Sequence, residues 1–153
     1  MKKIIASLLF VSAFAFVNAQ ENKEAKEKKE PKMSEAAVPA AVKATFASQF
    51  PGVKAEKWEK EKGNFEVGFH KNKTEMSCLI DANGKLLETE TEIPVSELPK
   101  AVSDYVAKNK PGKKIKEASK IVDASGTMTW EAEVEKMDLV FDKDGKFIKE
   151  AKD

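Results

Sequence analysis

Arginine is missing from this chain altogether, so all 27 basic residues are lysines. Lysine is a hydrated point charge without the planar fork that grips phosphate or guanine through two bonds at once. The 26 acidic residues interleave with the lysines, and the formal net charge is +1. That balance leaves no electrostatic footprint for nucleic acid. Cysteine occurs once, at Cys78, so no intramolecular disulfide can form. Histidine also occurs once, at His70. A lone imidazole needs carboxylate or thiolate help to hold zinc, and no G-x-S-x-G motif supplies a serine nucleophile for it. None of the glycines falls in a phosphate-cradling loop or a dinucleotide fingerprint. Catalytic residues, cofactor-binding residues and metal ligands are therefore not expected, and neither is an enzyme.

Long apolar runs are missing too, except at the start. Lys2 and Lys3 precede an apolar stretch from Ile4 to Val17, and Val17-Asn18-Ala19 places small residues where signal peptidase reads. Residues 1–19 read as a signal peptide cleaved before Gln20, too short for a stable membrane anchor. No cysteine follows to receive a lipid. Lys2 and Lys3 leave with this segment, taking the net charge from +1 to −1. The mature chain is expected in the periplasm or secreted, with no stable membrane insertion. Residues 20–37, dominated by Glu and Lys from Glu21 to Lys32 and with no apolar face, are predicted to be a disordered, solvated linker.

The remainder, residues 38–153, is one unit used twice. VPAAVKATFASQFPG (Val38 to Gly52) returns as LPKAVSDYVAKNKPG (Leu98 to Gly112), with Pro39 matching Pro99, Val42 matching Val102 and Phe46 matching Val106. Each opening predicts a helix with a proline in its first turn and Pro-Gly at its end. Val38, Ala41, Val42, Phe46, Gln49 and Phe50 form the packing stripe of the first helix; Leu98, Ala101, Val102, Tyr105 and Val106 form that of the second. Ser96 is the expected cap of the second helix.

Strands follow each helix. Val53 to Glu61, Asn64 to Lys71, Lys73 to Asp81 and Leu86 to Glu92 are expected in repeat one, residues 38–93. If Lys62-Gly63 is a two-residue turn, Trp58 stands opposite Val67 on the buried face. Repeat two, residues 98–150, gives Lys114 to Ala124, Thr127 to Lys136 and two further strands around Leu139 and Phe147. The predicted fold is α+β, one antiparallel sheet of about eight strands with both helices on one face. The other face presents Lys57, Glu59, Glu66, His70, Ser77, Thr129, Glu131 and Glu133, with Leu79 and Val140 as apolar spots. That face is the expected partner-binding surface, through Leu79, Val140, His70 and Glu66.

Three features have plainer readings. Cys78 shares its phase with Met76 and Ile80 and matches Leu139, so it reads as a small core residue. Asp81-Ala82-Asn83-Gly84-Lys85 and Asp142-Lys143-Asp144-Gly145-Lys146 resemble calcium loops, but a lysine stands where a ligand is needed, so hairpin turns are expected. Glu88, Glu90 and Glu92 share one face of a strand, and cross-strand pairing with lysines is the expected explanation.

The signal peptide, the tandem repeat, helices that open on [VL]-P-x-A-V and close on P-G, and hairpins ending D-x-x-G-K together resemble the PepSY-like family of exported bacterial proteins. The resemblance covers about residues 36 to 151. It implies a fold like that of the β-lactamase inhibitor protein, whose extended sheet grips a partner enzyme, and carries no catalytic residue over. The expected function is a non-enzymatic protein-binding module that inhibits an envelope or extracellular enzyme, its partner being a protein or peptide and not nucleic acid. The alternative is an envelope small-ligand or metal-ion binding protein, or stress protein.

Overall fold

The computed structural model describes residues 33–152. The expected signal peptide, its cleavage site and residues 20–32 of the expected linker lie outside the described residues. The rest of that linker is structured. Met33 donates its N–H to the Trp58 carbonyl at 2.8 Å, and Glu35–Ala37 form one turn of 3₁₀ helix.

Helix α1 is Ala40–Gln49 and helix α2 is Lys100–Asn109, each following its proline directly. The proline ring presets φ and has no N–H to satisfy, so these helices start without a side-chain cap. Ser96 is therefore not a cap: it lies in a short 3₁₀ turn, Val95–Glu97, ahead of Pro99. Val42, Phe46, Val102 and Val106 are buried, whereas Ala41, Gln49 and Ala101 are exposed. The packing stripe is narrower than expected because each short helix meets the sheet along a single i, i+4 ridge.

Eight strands form one antiparallel meander in chain order: β1 Ala55–Glu61, β2 Asn64–Lys71, β3 Thr74–Ile80, β4 Leu86–Glu92, β5 Glu117–Asp123, β6 Met128–Val134, β7 Met137–Asp142 and β8 Phe147–Lys152. Trp58 stands opposite Val67, as the hairpin spacing requires. Lys62 and Gly63 both have positive φ, as do Asn72-Lys73 and Glu135-Lys136. These two-residue turns match the right-handed strand twist and fix the register.

The core sits between the helices and the sheet in two clusters. In the first, Phe69 packs against Phe46 and Phe50 with ring centroids 5.2 and 4.5 Å apart. In the second, Tyr105 stacks on Phe147 at 4.6 Å and meets Phe141 edge-on. Cys78 is buried in the first cluster, and loss of solvation pushes its thiol up to about 12.

The D-x-x-G-K segments are hairpin turns that seat the helices. Asp81 Oδ1 accepts the N–H groups of Asn83 and Lys85; Asp142 Oδ1 accepts those of Asp144 and Lys146. A Cβ on Gly84 would stand 2.9 Å from the Ala41 carbonyl oxygen, and one on Gly145 would stand 2.9 Å from Ala101 Cβ. Each glycine lets a turn touch its helix. No helix among the described residues is long and apolar enough to cross a membrane.

Candidate functional site

Strand alternation puts every second side chain on the sheet face away from α1 and α2. One row of partners there runs Glu59, Glu66, Leu79, Glu88, Asp123 across β1 to β5. The next runs Lys57, Gly68, Ser77, Glu90, Ile121, Thr129, Asp142 across β1 to β7. A third joins Glu92, Ser119, Glu131, Val140 and Lys149 across β4 to β8. Each apolar residue thus stands between side chains with polar ends.

Leu79 and Val140, expected as apolar spots presented to solvent, are instead 0% exposed, and Glu66 is 7% exposed. Flanking on both sides along the rows places them inside the layer rather than on top of it. His70 is exposed at the end of β2, where its Nδ1 lies 2.9 Å from Glu56 Oε1. Cys78 belongs to the opposite, helix-covered face, so the structure does not bring these two reactive side chains together. Among the described residues, no three His, Cys, Asp or Glu side chains are placed to hold a metal ion.

Glu88 and Glu90 change the picture of this face most. They are 4% and 2% exposed, and the ion-pair expectation for them is not met. Their neighbours on β3 and β5 are Leu79, Ser77, Asp123 and Ile121, none of them a lysine. Burial, the largest cause, pushes the Glu66 carboxyl up to about 8, with Glu61 adding to the shift. Burial raises Glu88 to about 7, again reinforced by Glu61, while Lys149 pulls partly the other way. Glu90 is raised well above the usual carboxylate range, first by burial and then by Glu131. Burial thus makes all three side chains hold their protons to higher pH than an ordinary carboxylate.

Several of their polar atoms lack hydrogen bonds: Glu88 Oε1, Glu90 Oε2, Thr129 Oγ1 and Ser77 Oγ. Ser77 lies close enough to Glu66 to hold its pKa down a little, yet makes no bond of ordinary geometry. Unpaired buried polar groups cost about 1–3 kcal/mol each. Sequence reasoning placed Glu66, Ser77, Thr129 and Glu131 on this face but read Glu88 and Glu90 as paired across strands with lysines. The signal was available in the repeat: β4 and β5 join the two copies, so the β4 glutamates lie mid-sheet.

Comparison with other proteins bears on the fold. The family model described as "Putative beta-lactamase-inhibitor-like, PepSY-like" matches twice, over residues 15–88 and 81–149. No curated protein matches the chain. Among solved structures, a DUF2874 family protein from Bacteroides uniformis superposes with a TM-score of 0.64 at 17% identity, covering 74% of this chain and 88% of the other. A protein from Bacteroides eggerthii described among "putative periplasmic proteins" gives 0.65 at 14% identity, covering 75% and 88%. A BLIP-like protein from Bacteroides fragilis gives 0.59 at 22% identity, covering 74% and 86%. At these identities the likeness is one of fold.

Proposed function

The chain belongs to the beta-lactamase-inhibitor-like, PepSY-like family, and we propose that it is a non-enzymatic, exported protein-binding module. Its partner docks on the sheet face opposite the helices, and inhibition of an envelope or extracellular enzyme is the consequence such docking would have. Export follows from the N-terminal signal-like sequence and accords with the periplasmic description of the Bacteroides eggerthii protein.

The observation that carries this reading is the unpaired acid strip. A face that served only as solvated surface would not bury Glu66, Glu88 and Glu90, the last two each with an oxygen that has no hydrogen bond. Groups of this kind recover their lost hydrogen bonds when a partner supplies donors. The family name and the BLIP-like protein from Bacteroides fragilis support a binding role.

The test is cross-linking capture in envelope extract, using the protein purified from the periplasm of an expressing host. One variant reverses charge on the rim of this face, Glu59→Lys with Glu133→Lys, where both side chains are partly exposed. The control, Ala47→Lys with Ala107→Lys, alters the exposed sides of α1 and α2. A stoichiometric partner lost in the rim variant and kept in the control is expected. A partner held equally by both variants would overturn the assignment to this face.

A further inference from the structure

An open sheet has two edges, and here they are β1 and β8. The edge of β1 is partly taken, since Met33 donates its N–H to the Trp58 carbonyl there. No strand among the described residues lies beyond β8. Free backbone groups along an edge are a template for another strand.

The internal repeat shows what such an edge does. β8 is the counterpart of β4, and both begin with the same bulge. Leu86 stands opposite Ile80 and Glu88 opposite Leu79 in one; Phe147 stands opposite Phe141 and Lys149 opposite Val140 in the other. The outer edge of β4 is closed by β5. Ala124 donates its N–H to the Leu87 carbonyl at 2.7 Å, and Ile93 donates to the Ala118 carbonyl at 2.9 Å. Alternate residues of an antiparallel strand turn their backbone groups to one neighbour, so Leu87, Thr89 and Thr91 turn theirs to β5. Their counterparts on β8 are Ile148, Glu150 and Lys152. All three are exposed, and their backbone groups point away from β7.

The charges along this edge are their own complement. Lys149-Glu150-Ala151-Lys152-Asp153 reads plus, minus, none, plus, minus. Reversed about Ala151, every charge meets its opposite. We propose that β8 pairs antiparallel with β8 of a second copy of this chain, about a two-fold axis at Ala151. Glu150 then stands opposite Lys152 of the second copy, and Lys152 opposite Glu150 of the second copy. Both are pairs whose outward backbone groups meet, which closes the ladder from each side. The two Ala151 residues face each other at the axis, where strands come closest and a small side chain fits.

Charge selects this register. An axis at Glu150 would set glutamate against glutamate, and one at Lys149 would set lysine against lysine, each unfavourable across strands. Pairing β8 with β1 of a second copy is disfavoured as well. Lys60 holds in β1 the place of Lys120 in β5, which faces Thr91, so repeating the β4–β5 seam would set Lys152 against Lys60. Lysines and bulges ordinarily blunt an edge. Here Lys152 meets an acid, and the bulge lies outside the paired residues. Glu150 keeps its ion pair with Lys110, at 2.7 Å on the helix side. Residues directly opposite share a face, so the helices of both copies lie on one side of the joined sheet and both acid faces on the other. The contact is isologous and stops at two copies. Its short paired stretch makes it a weak dimer, below the size of a standard interface.

The experiment is sedimentation equilibrium of the periplasmically purified protein at neutral pH and low salt, from about 10 μM to about 1 mM. Monomer is expected at the low end and dimer at the high end. Lys152→Glu and Glu150→Lys each set like charges opposite one another and should each weaken the dimer at least about tenfold. An equimolar mixture of these two variants should dimerise again, because each supplies the charges that the other lacks. The double variant Glu150→Lys with Lys152→Glu exchanges the signs, stays self-complementary and should dimerise like the parent. These restorations also show that the single variants are folded. A parent that is monomeric throughout overturns the proposal, as does a dimer indifferent to the single changes, or one that neither the mixture nor the double variant restores. The edge contact does not rest on docking at the acid face, so its failure leaves that reading untouched.

Discussion

Phe69 and Glu90 are buried almost equally, at 1% and 2% exposure, on opposite faces of one sheet. Phe69 gains from its surroundings in two ways, by apolar burial and by ring packing against Phe46 and Phe50. Glu90 meets Ser77, Ile121 and the charge of Glu131, and is pushed away from its ordinary ionisation. Depth of burial is thus shared between the faces, and what differs is whether burial suits the group buried. The helix-covered face holds the molecule together; the acid face spends part of that stability, as binding surfaces do.

Four predictions bear on this contrast, from the largest effect to the smallest. Phe69→Ala and Phe141→Ala should each cost about 3–5 kcal/mol in denaturant unfolding, because each empties the centre of one cluster. A loss near zero at either would show that the helix-covered face is not the source of stability.

The acid face should make stability fall with rising pH. In the unfolded chain Glu66, Glu88 and Glu90 ionise in the ordinary carboxylate range, whereas in the folded chain they hold their protons to higher pH. Between about pH 4.5 and pH 8 the folded state therefore binds more protons than the unfolded state, which makes the slope negative. The penalty is absent below the unfolded values and is complete once the folded carboxyls have ionised, Glu88 around 7 and Glu66 around 8. Stability should fall by several kcal/mol between about pH 5 and pH 8.5. Glu66→Gln with Glu90→Gln should flatten that curve and leave the variant more stable than the parent at pH 8.5. A parent curve already flat across this range would mean that the acids are solvated and the contrast between faces is lost.

Gly145→Ala should cost about 1–3 kcal/mol, since the new methyl meets Ala101 Cβ in a backbone that already has positive φ. Gly68→Ala, on the acid face, should cost little or nothing, because its Cβ has room. Thermal melts of the two side by side separate a glycine needed for packing from one whose Cβ the fold would tolerate. Smallest of all, Lys100→Ala, which removes an exposed ion pair with Asp104, should change stability by less than about 0.5 kcal/mol.

Much of the fold was legible before any coordinates. The sixty-residue offset between the two prolines, the two-residue turn at Lys62-Gly63 and the alternation in Phe65, Val67 and Phe69 fix helix positions, hairpin register and facing. The side chains assigned to the face away from the helices do lie there. Ser96 was misread because a hydroxyl near a helix start resembles a cap, whereas the backbone puts Pro99 itself at the N-cap of α2. Leu79 and Val140 were misread because alternation tells which way a side chain points, not what stands beside it.

Sequence alone determined the elements, their order and their pairing, because turn chemistry and side-chain period are local properties written within a few residues. It also determined which side chains share a face. Only the tertiary structure decided that Glu88 and Glu90 are desolvated and stand opposite no lysine on the adjoining strands. Those facts depend on joining the two repeats through β4 and β5 into one sheet. The environment of a β4 side chain is supplied by residues some thirty positions onward in the chain, and solvation is a property of that assembled neighbourhood rather than of the strand.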